Sequence, residues 1–404
     1  MPDILGQGGD REPRRWPRRL AAAAVLLLVT AVIATHLPRQ QAEAPGSRPS
    51  GAPSPAPSAA PGSGALSPGP ADETSGLIGQ TLPWEASLRL PVAGTQPLWL
   101  WPATGRVQPI GGLPRDRYGY QFTRVTGGWA VQALSATQPG CNGCAGPPLP
   151  VYFLGNSAPS VTQVGLANEV APAASGGAVW LTSYPPGATV STAAGTAREV
   201  SVTGAPLGPR LRLPAGYVID QATDRGLLLA AVAHRSGTTT YQLWNPATAR
   251  ADRRFTGVVA ASPREVAWAA GCAPVCRVRV LDVVTGRQTT IGLPGASSAA
   301  NGAFSPDGAF LAIEASLYNN GDDGALAAQL DVASVATGRL TVVPRTFVSS
   351  DAMAGFGWPA ASDNLIAELI FTTRVQVASW HPGSARLAVA AIQAGASSAS
   401  LIVG

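Results

Sequence analysis

The sequence predicts an all-β chain folded as a seven-bladed β-propeller, held behind a single transmembrane helix and a disordered Pro-rich stalk; six or eight blades fit the same pattern. Three observations carry this prediction. Apolar residues alternate with period two through residues 77–404, and helical periodicity is nearly absent there. A strand–turn–strand unit recurs seven times, its turns running from Gly105 to Ser384 at roughly 46-residue intervals, near the ~40–45 residues of a four-stranded blade. Gly (46) and Pro (37) are plentiful and charged residues make up 13%, a composition suited to many turns around a large apolar core.

The N-terminal element comes first. Arg11, Arg14, Arg15, Arg18 and Arg19 end a short tail, residues 1–19, and precede an uncharged apolar run from Leu20 to Leu37. As a helix this run spans about 27 Å, close to the hydrocarbon thickness of a bilayer. Arginines on its N-terminal side predict a cytoplasmic N-terminus and an exported head, so a single-pass protein of the cytoplasmic membrane is expected. A cleaved secretory signal is the competing reading. Ala42-Glu43-Ala44 has the spacing of a cleavage site, but Pro45 follows it, and the apolar run exceeds the usual ~7–15 residues. The absence of cysteine before Cys141 excludes a bacterial lipoprotein anchor.

Residues 38–76 are almost wholly Pro, Ser, Ala and Gly. They offer too little apolar surface to offset chain entropy, so a disordered, partly stiff stalk is expected. The net charge of +5 comes largely from residues 1–39, where six Arg face three acids; the remainder has 22 Arg against 20 acids. All 28 basic residues are Arg, which GC-rich codon usage accounts for. No basic stripe or nucleic-acid motif emerges, so no nucleic-acid partner is expected.

The head, residues 77–404, follows. Residues 127–131, 176–180, 226–230, 265–268, 309–313 and 364–367, such as Gly127-Gly128-Trp129-Ala130-Val131 and Glu265-Val266-Ala267-Trp268, read as the inner strands of blades. Seven hairpins follow: residues 99–110, 152–164, 189–202, 241–255, 279–291, 330–343 and 377–390, several turning at Thr-Gly. Blade one looks incomplete, with residues 85–90 as its third strand. The terminal stretch 399–404, Ala-Ser-Leu-Ile-Val-Gly, is therefore expected to pair with blade one and close the ring.

Phe304-Ser305-Pro306-Asp307-Gly308, followed by Leu311-Ala312, resembles the blade motif of the TolB-like and WD40-like β-propellers of bacterial envelope proteins. The motif covers about a tenth of the chain, and residues 358–369 echo it. The resemblance implies the propeller fold and an envelope setting. TolB proteins carry a separate N-terminal α/β domain, whereas this chain has an anchor and stalk.

Candidate chemistry is sparse. Cys141 and Cys144 form one local pair, Cys272 and Cys276 another. Four cysteines allow three connectivities; outside the cytoplasm two local disulfides are expected, in preference to a zinc site. Asn319, Asn320, Asp322 and Asp323 could present oxygens to Ca²⁺, but their spacing fits no known calcium loop and reads as a solvated turn in blade six. His234 and His381 read as turn residues rather than general bases. Trp129, Trp180 and Trp268 read as inter-blade core, and Trp99 and Trp101 share a strand face that could line a binding surface. No catalytic motif occurs and no cofactor is implied. The expected function is binding or scaffolding of an envelope protein, glycan or small ligand. The alternative is a hydrolase or lactonase, which would bring several acid or His side chains onto the central channel.

Overall fold

The computed structural model describes residues 84–401 apart from 94–95, 115–118, 126, 135–142, 157, 176, 233–238, 319–325, 345, 347, 350–352, 360–362, 372–373 and 394–399. The expected anchor and stalk lie outside the described residues. No helix among the described residues is long and apolar enough to cross a membrane.

The strands form seven antiparallel sheets. Blade one contains β1 (Leu90–Ala93), β2 (Leu98–Trp101) and β3 (Arg106–Pro109). Blade two contains β4 (Tyr120–Val125), β5 (Gly128–Ala133), β6 (Leu149–Gly155) and β7 (Thr162–Ala167). Blade three contains β8 (Glu169–Pro172), β9 (Ala178–Ser183), β10 (Thr196–Ser201) and β11 (Leu211–Arg212). Blade four contains β12 (Tyr217–Thr223), β13 (Gly226–Ala231), β14 (Thr240–Asn245) and β15 (Arg250–Thr256). Blade five contains β16 (Val258–Ala261), β17 (Glu265–Ala269), β18 (Cys276–Asp282) and β19 (Gln288–Leu293). Blade six contains β20 (Ala296–Phe304), β21 (Phe310–Tyr318), β22 (Leu326–Ser334) and β23 (Leu340–Val342), with β24 (Val348–Ser349) also on β22. Blade seven contains β25 (Met353–Gly357), β26 (Leu365–Phe371), β27 (Arg374–Trp380) and β28 (Ala388–Gln393). Finally β29 (Ser400–Leu401) returns to blade one and pairs with β1, Leu401 opposite Val92 and Ser400 opposite Ala93. The C-terminus thus supplies the fourth strand of the first blade, as expected.

Side chains close the ring as well. Each of the seven junctions between neighbouring blades has its own buried apolar wedge. The junction of blade seven with blade one joins Ile366 and Val377 to Leu88, Leu90, Val92 and Leu100. A four-stranded sheet exposes two apolar faces, and radial stacking buries both against neighbours. Trp129 and Trp180 lie in such wedges, and half-buried Trp268 packs against another.

Three readings of strand position need correction. The runs expected as inner strands are the second strands, β5, β9, β13, β17, β21 and β26. The true inner strands are β4, β8, β12, β16, β20 and β25, and they pack on one another around the ring: β8 against β4 and β12, β20 against β16 and β25. They are hard to read because small residues and register shifts break their alternation, as in Ala296–Phe304 and Met353–Gly357. Six of the seven hairpins join the third and fourth strands. In blade three, residues 189–195 form a loop instead, and β10 reaches β11 through residues 202–210. Finally, β1 begins at Leu90 rather than ending there.

The Ser305–Gly308 turn connects β20 to β21. The Ser305 hydroxyl donates to Asp307 at 2.6 Å and accepts the Phe310 N–H at 2.9 Å, while Asp307 accepts the Ala309 N–H at 3.0 Å. Gly308 has φ +70°, and a Cβ there would stand 2.9 Å from Glu265 Oε1 of blade five. Glycine is needed for backbone conformation and for room beside the neighbouring blade. The turn that carries the family resemblance is therefore an inter-blade contact.

Candidate binding site

The inner wall is chemically lopsided. Among the described residues its strands carry Arg124 on β4, Glu169 on β8 and Asp220 on β12, while β16, β20, β25 and β29 carry no charged residue and none carries histidine. The charged side belongs to blades two to four.

Glu169 is placed by its predecessor. Asn168 occupies the turn from β7 to β8. Its Nδ2 donates to Gly146 O at 2.8 Å, and its Oδ1 accepts the Tyr184 N–H at 2.8 Å. One side chain thereby ties the end of β9 to the loop that follows Cys144. Beside it, Tyr184 Oη donates to Glu169 Oε2 at 3.3 Å and lies 3.5 Å from Tyr217 O of blade four. Gly195 makes room, because a Cβ there would stand 2.9 Å from Tyr184 Cε1 and 3.0 Å from Thr182 Cγ2.

The loop that begins at Tyr184 is fastened to blade two. Ala145 N–H donates to Ala188 O at 2.9 Å, Gly187 N–H to Ala145 O at 3.0 Å, and Val190 N–H to Gly143 O at 3.0 Å. Cys144, which is disulfide-bonded, bridges Thr189. Its expected partner, Cys141, lies outside the described residues. The second expected disulfide, Cys272–Cys276, is present.

Burial governs the electrostatics. It pushes the Glu169 carboxyl up to about 7, against the stabilising hydrogen bond from Tyr184. Burial first, then the charge of Glu169 and the shared hydrogen bond, push the Tyr184 phenol far up, so it stays a donor. Near neutral pH Glu169 divides between a donor and an acceptor form. Arg124 is lowered to about 10 by burial. Alternation puts it on the blade-one face of β4 with Tyr120 and Phe122, and no ion pair joins it to Glu169.

The sequence reading missed Glu169, Tyr184 and Arg124. An acid opening an apolar stretch, Asn168-Glu169-Val170, was the available signal, but nothing linear links Glu169 to Tyr184. Asn319, Asn320, Asp322, Asp323 and His234 lie outside the described residues. His381 sits exposed, its Nδ1 3.0 Å from Pro382 O. Trp99 does not line a surface: it is buried between blades one and two with half-buried Trp101 against it, because their face of β2 meets the next blade. Among the described residues no group of three or more His, Cys, Asp or Glu is placed to hold a metal.

No protein-family model matches the chain, and no curated protein does so by sequence. Among solved structures it is similar to the Kuenenia stuttgartiensis hydrazine synthase, at 11% identity and TM-score 0.39, covering 61% of this chain and 79% of that one. A putative 6-phosphogluconolactonase from Bacteroides fragilis matches at 13% identity and TM-score 0.40, covering 77% and 97%. A prolyl endopeptidase matches at 12% identity and TM-score 0.49, covering 76% of this chain and 47% of that one. Similarity at this level carries no activity across, and the fold stands on the strand pairing.

Proposed function

We propose that the chain is a membrane-anchored, extracytoplasmic binding or scaffold module, whose propeller engages an envelope protein, glycan or small ligand at the inner wall of blade three. The Glu169–Tyr184 pair carries this reading. A half-buried strand carboxyl, held by one hydroxyl from a loop fastened to the neighbouring blade, is built to recognise hydrogen-bonding groups. Hydroxyl-rich ligands such as glycans suit a group that both donates and accepts near neutral pH. The anchor proposed for residues 20–37 would hold that wall outside the cytoplasmic membrane.

The test is a binding screen of the full chain in detergent micelles against neutral oligosaccharides and small polyols, read by calorimetry and thermal shift. Binding that changes through pH 7 and disappears in Glu169→Gln is the expected outcome. Binding indifferent to both Glu169→Gln and Tyr184→Phe would overturn the site.

A hydrolase or lactonase reading rests on the same carboxyl, since a group titrating near neutrality suits general acid–base work. Lactone or ester turnover by the wild type, lost in Glu169→Gln, would establish it in place of binding.

A further inference from the structure

Blade five is electrically two-sided. Glu265 and Asp282 stand opposite one another on β17 and β18, and Glu265 meets Gly308 of blade six. Arg277 and Arg279 alternate with buried Cys276, Val278 and Val280, which pack into the wedge toward blade six. The arginines therefore project from the other face, toward blade four. Half-buried Trp268 stands opposite Arg279 in the β17–β18 register.

Blade four adds a third arginine beside this face. Phe255 meets Trp268 with ring centroids 5.3 Å apart, and the Arg253 guanidinium carbon lies 5.5 Å from each ring centroid. On the outer side Arg277 faces Gly292 in the register, and a Cβ on Gly292 would meet nothing within 4 Å. The backbone of Arg277 is fixed beside the Cys272–Cys276 disulfide, donating to Gly271 O at 2.9 Å and accepting from the Ala270 N–H at 2.8 Å. Among the described residues the side chains of Arg253, Arg277 and Arg279 have no hydrogen-bond or ion-pair partner. Asp252, at the bulge beside Arg253, forms no ion pair with it.

We propose that a groove between blades four and five docks an extended acidic peptide segment of a partner protein, with carboxylates on alternate residues. Arg277 and Arg279 lie two residues apart on one strand face, about 6.6 Å, which is the repeat of alternate side chains in an extended peptide. Each guanidinium can grip a carboxylate through two N–H groups. Arg253, stacked on buried Phe255 and half-buried Trp268, keeps its N–H edges free for a third, and the exposed part of Trp268 gives an apolar contact for an intervening side chain. Three unpaired arginines gathered on one face supply the complementarity.

The test is fluorescence anisotropy with the full chain in detergent micelles and a labelled peptide bearing Glu at alternate positions. The expected result is salt-sensitive binding, weakened about tenfold or more in Arg277→Glu/Arg279→Glu and weakened in Arg253→Ala. Arg254→Glu, exposed on the opposite face of β15, should bind as wild type does. Thermal melts check the variants; where Arg253→Ala disturbs packing, the exposed Arg277 and Arg279 decide the matter. Equal binding by the Arg277/Arg279 variant overturns the proposal. So does equal binding of a peptide with the same glutamates in one block, or of single-stranded DNA or heparin in place of the alternating peptide.

Discussion

The proposed site at the inner wall of blade three and the proposed groove between blades four and five use charge by opposite means. Glu169 is a single carboxyl drawn out of water, with one hydroxyl beside it and a loop fastened by side-chain and backbone bonds. The proposed groove gathers three cations, with Arg277 and Arg279 exposed, along ordinary strand alternation. Packing therefore sets the protonation state of the first region, and ionic strength sets the reach of the second. A buried site responds to mutations that loosen the fold; an exposed one responds to charge.

The largest perturbation should erase that difference. Removing residues 398–404 deletes β29, leaves β1 as an open edge and strips backbone pairing from Val92 and Ala93. The melting temperature of the full chain should fall by several degrees, with aggregation, and both regions should lose binding together. A truncated chain that melts like the intact one would show that closure rests on the side-chain wedge of blades seven and one.

A smaller change should separate the two. Asn168→Ala removes two 2.8 Å hydrogen bonds that hold Gly146 and Tyr184. About 2 kcal/mol of stability should be lost, measurable by denaturant titration. The response of Glu169 should change with it while the arginine groove still binds acidic peptide. Loss of both activities at full retention of fold would mean the regions are coupled.

Acidity offers the next contrast. Because the folded Glu169 is raised to about 7, its protonated form is favoured in the folded state. The stability it contributes is complete below the ordinary carboxylate range near 4.5 and is lost as pH rises toward 7, on the order of 3 kcal/mol. Glu169→Gln should flatten that part of the stability–pH curve. An unchanged curve would place the carboxyl in water.

The smallest effect belongs to the hairpin that leads into the groove. Where other blades turn with Thr-Gly, such as Thr285-Gly286 and Thr337-Gly338, blade four has Thr248-Ala249, and Ala249 takes φ +53°. Ala249→Gly should stabilise by about 1 kcal/mol and raise the melting temperature slightly. A lowered melting temperature would show that Ala249 packs in a way its backbone does not reveal.

Several features could be read from residues alone, for local physical reasons. Period-two runs and Thr-Gly turns recurring at blade spacing gave sheets, count and closure, because alternation and positive φ are properties of short stretches. The Cys272–Cys276 bridge was legible because its partners are four residues apart. Three-dimensional packing decided the rest. Inner strands escaped notice because residues facing a channel need not alternate. Glu169 and Tyr184 are fifteen residues apart, one opening β8 and the other just past the end of β9, and Asn168 and Gly195 shape their pairing. Arg253 and Arg279 lie on different blades and share Trp268 as a neighbour, so no linear pattern announces the proposed groove. Sequence determines what each strand can bury; which charges share a wall or a groove is decided when the blades stack, because that step alone brings distant faces together and removes their water.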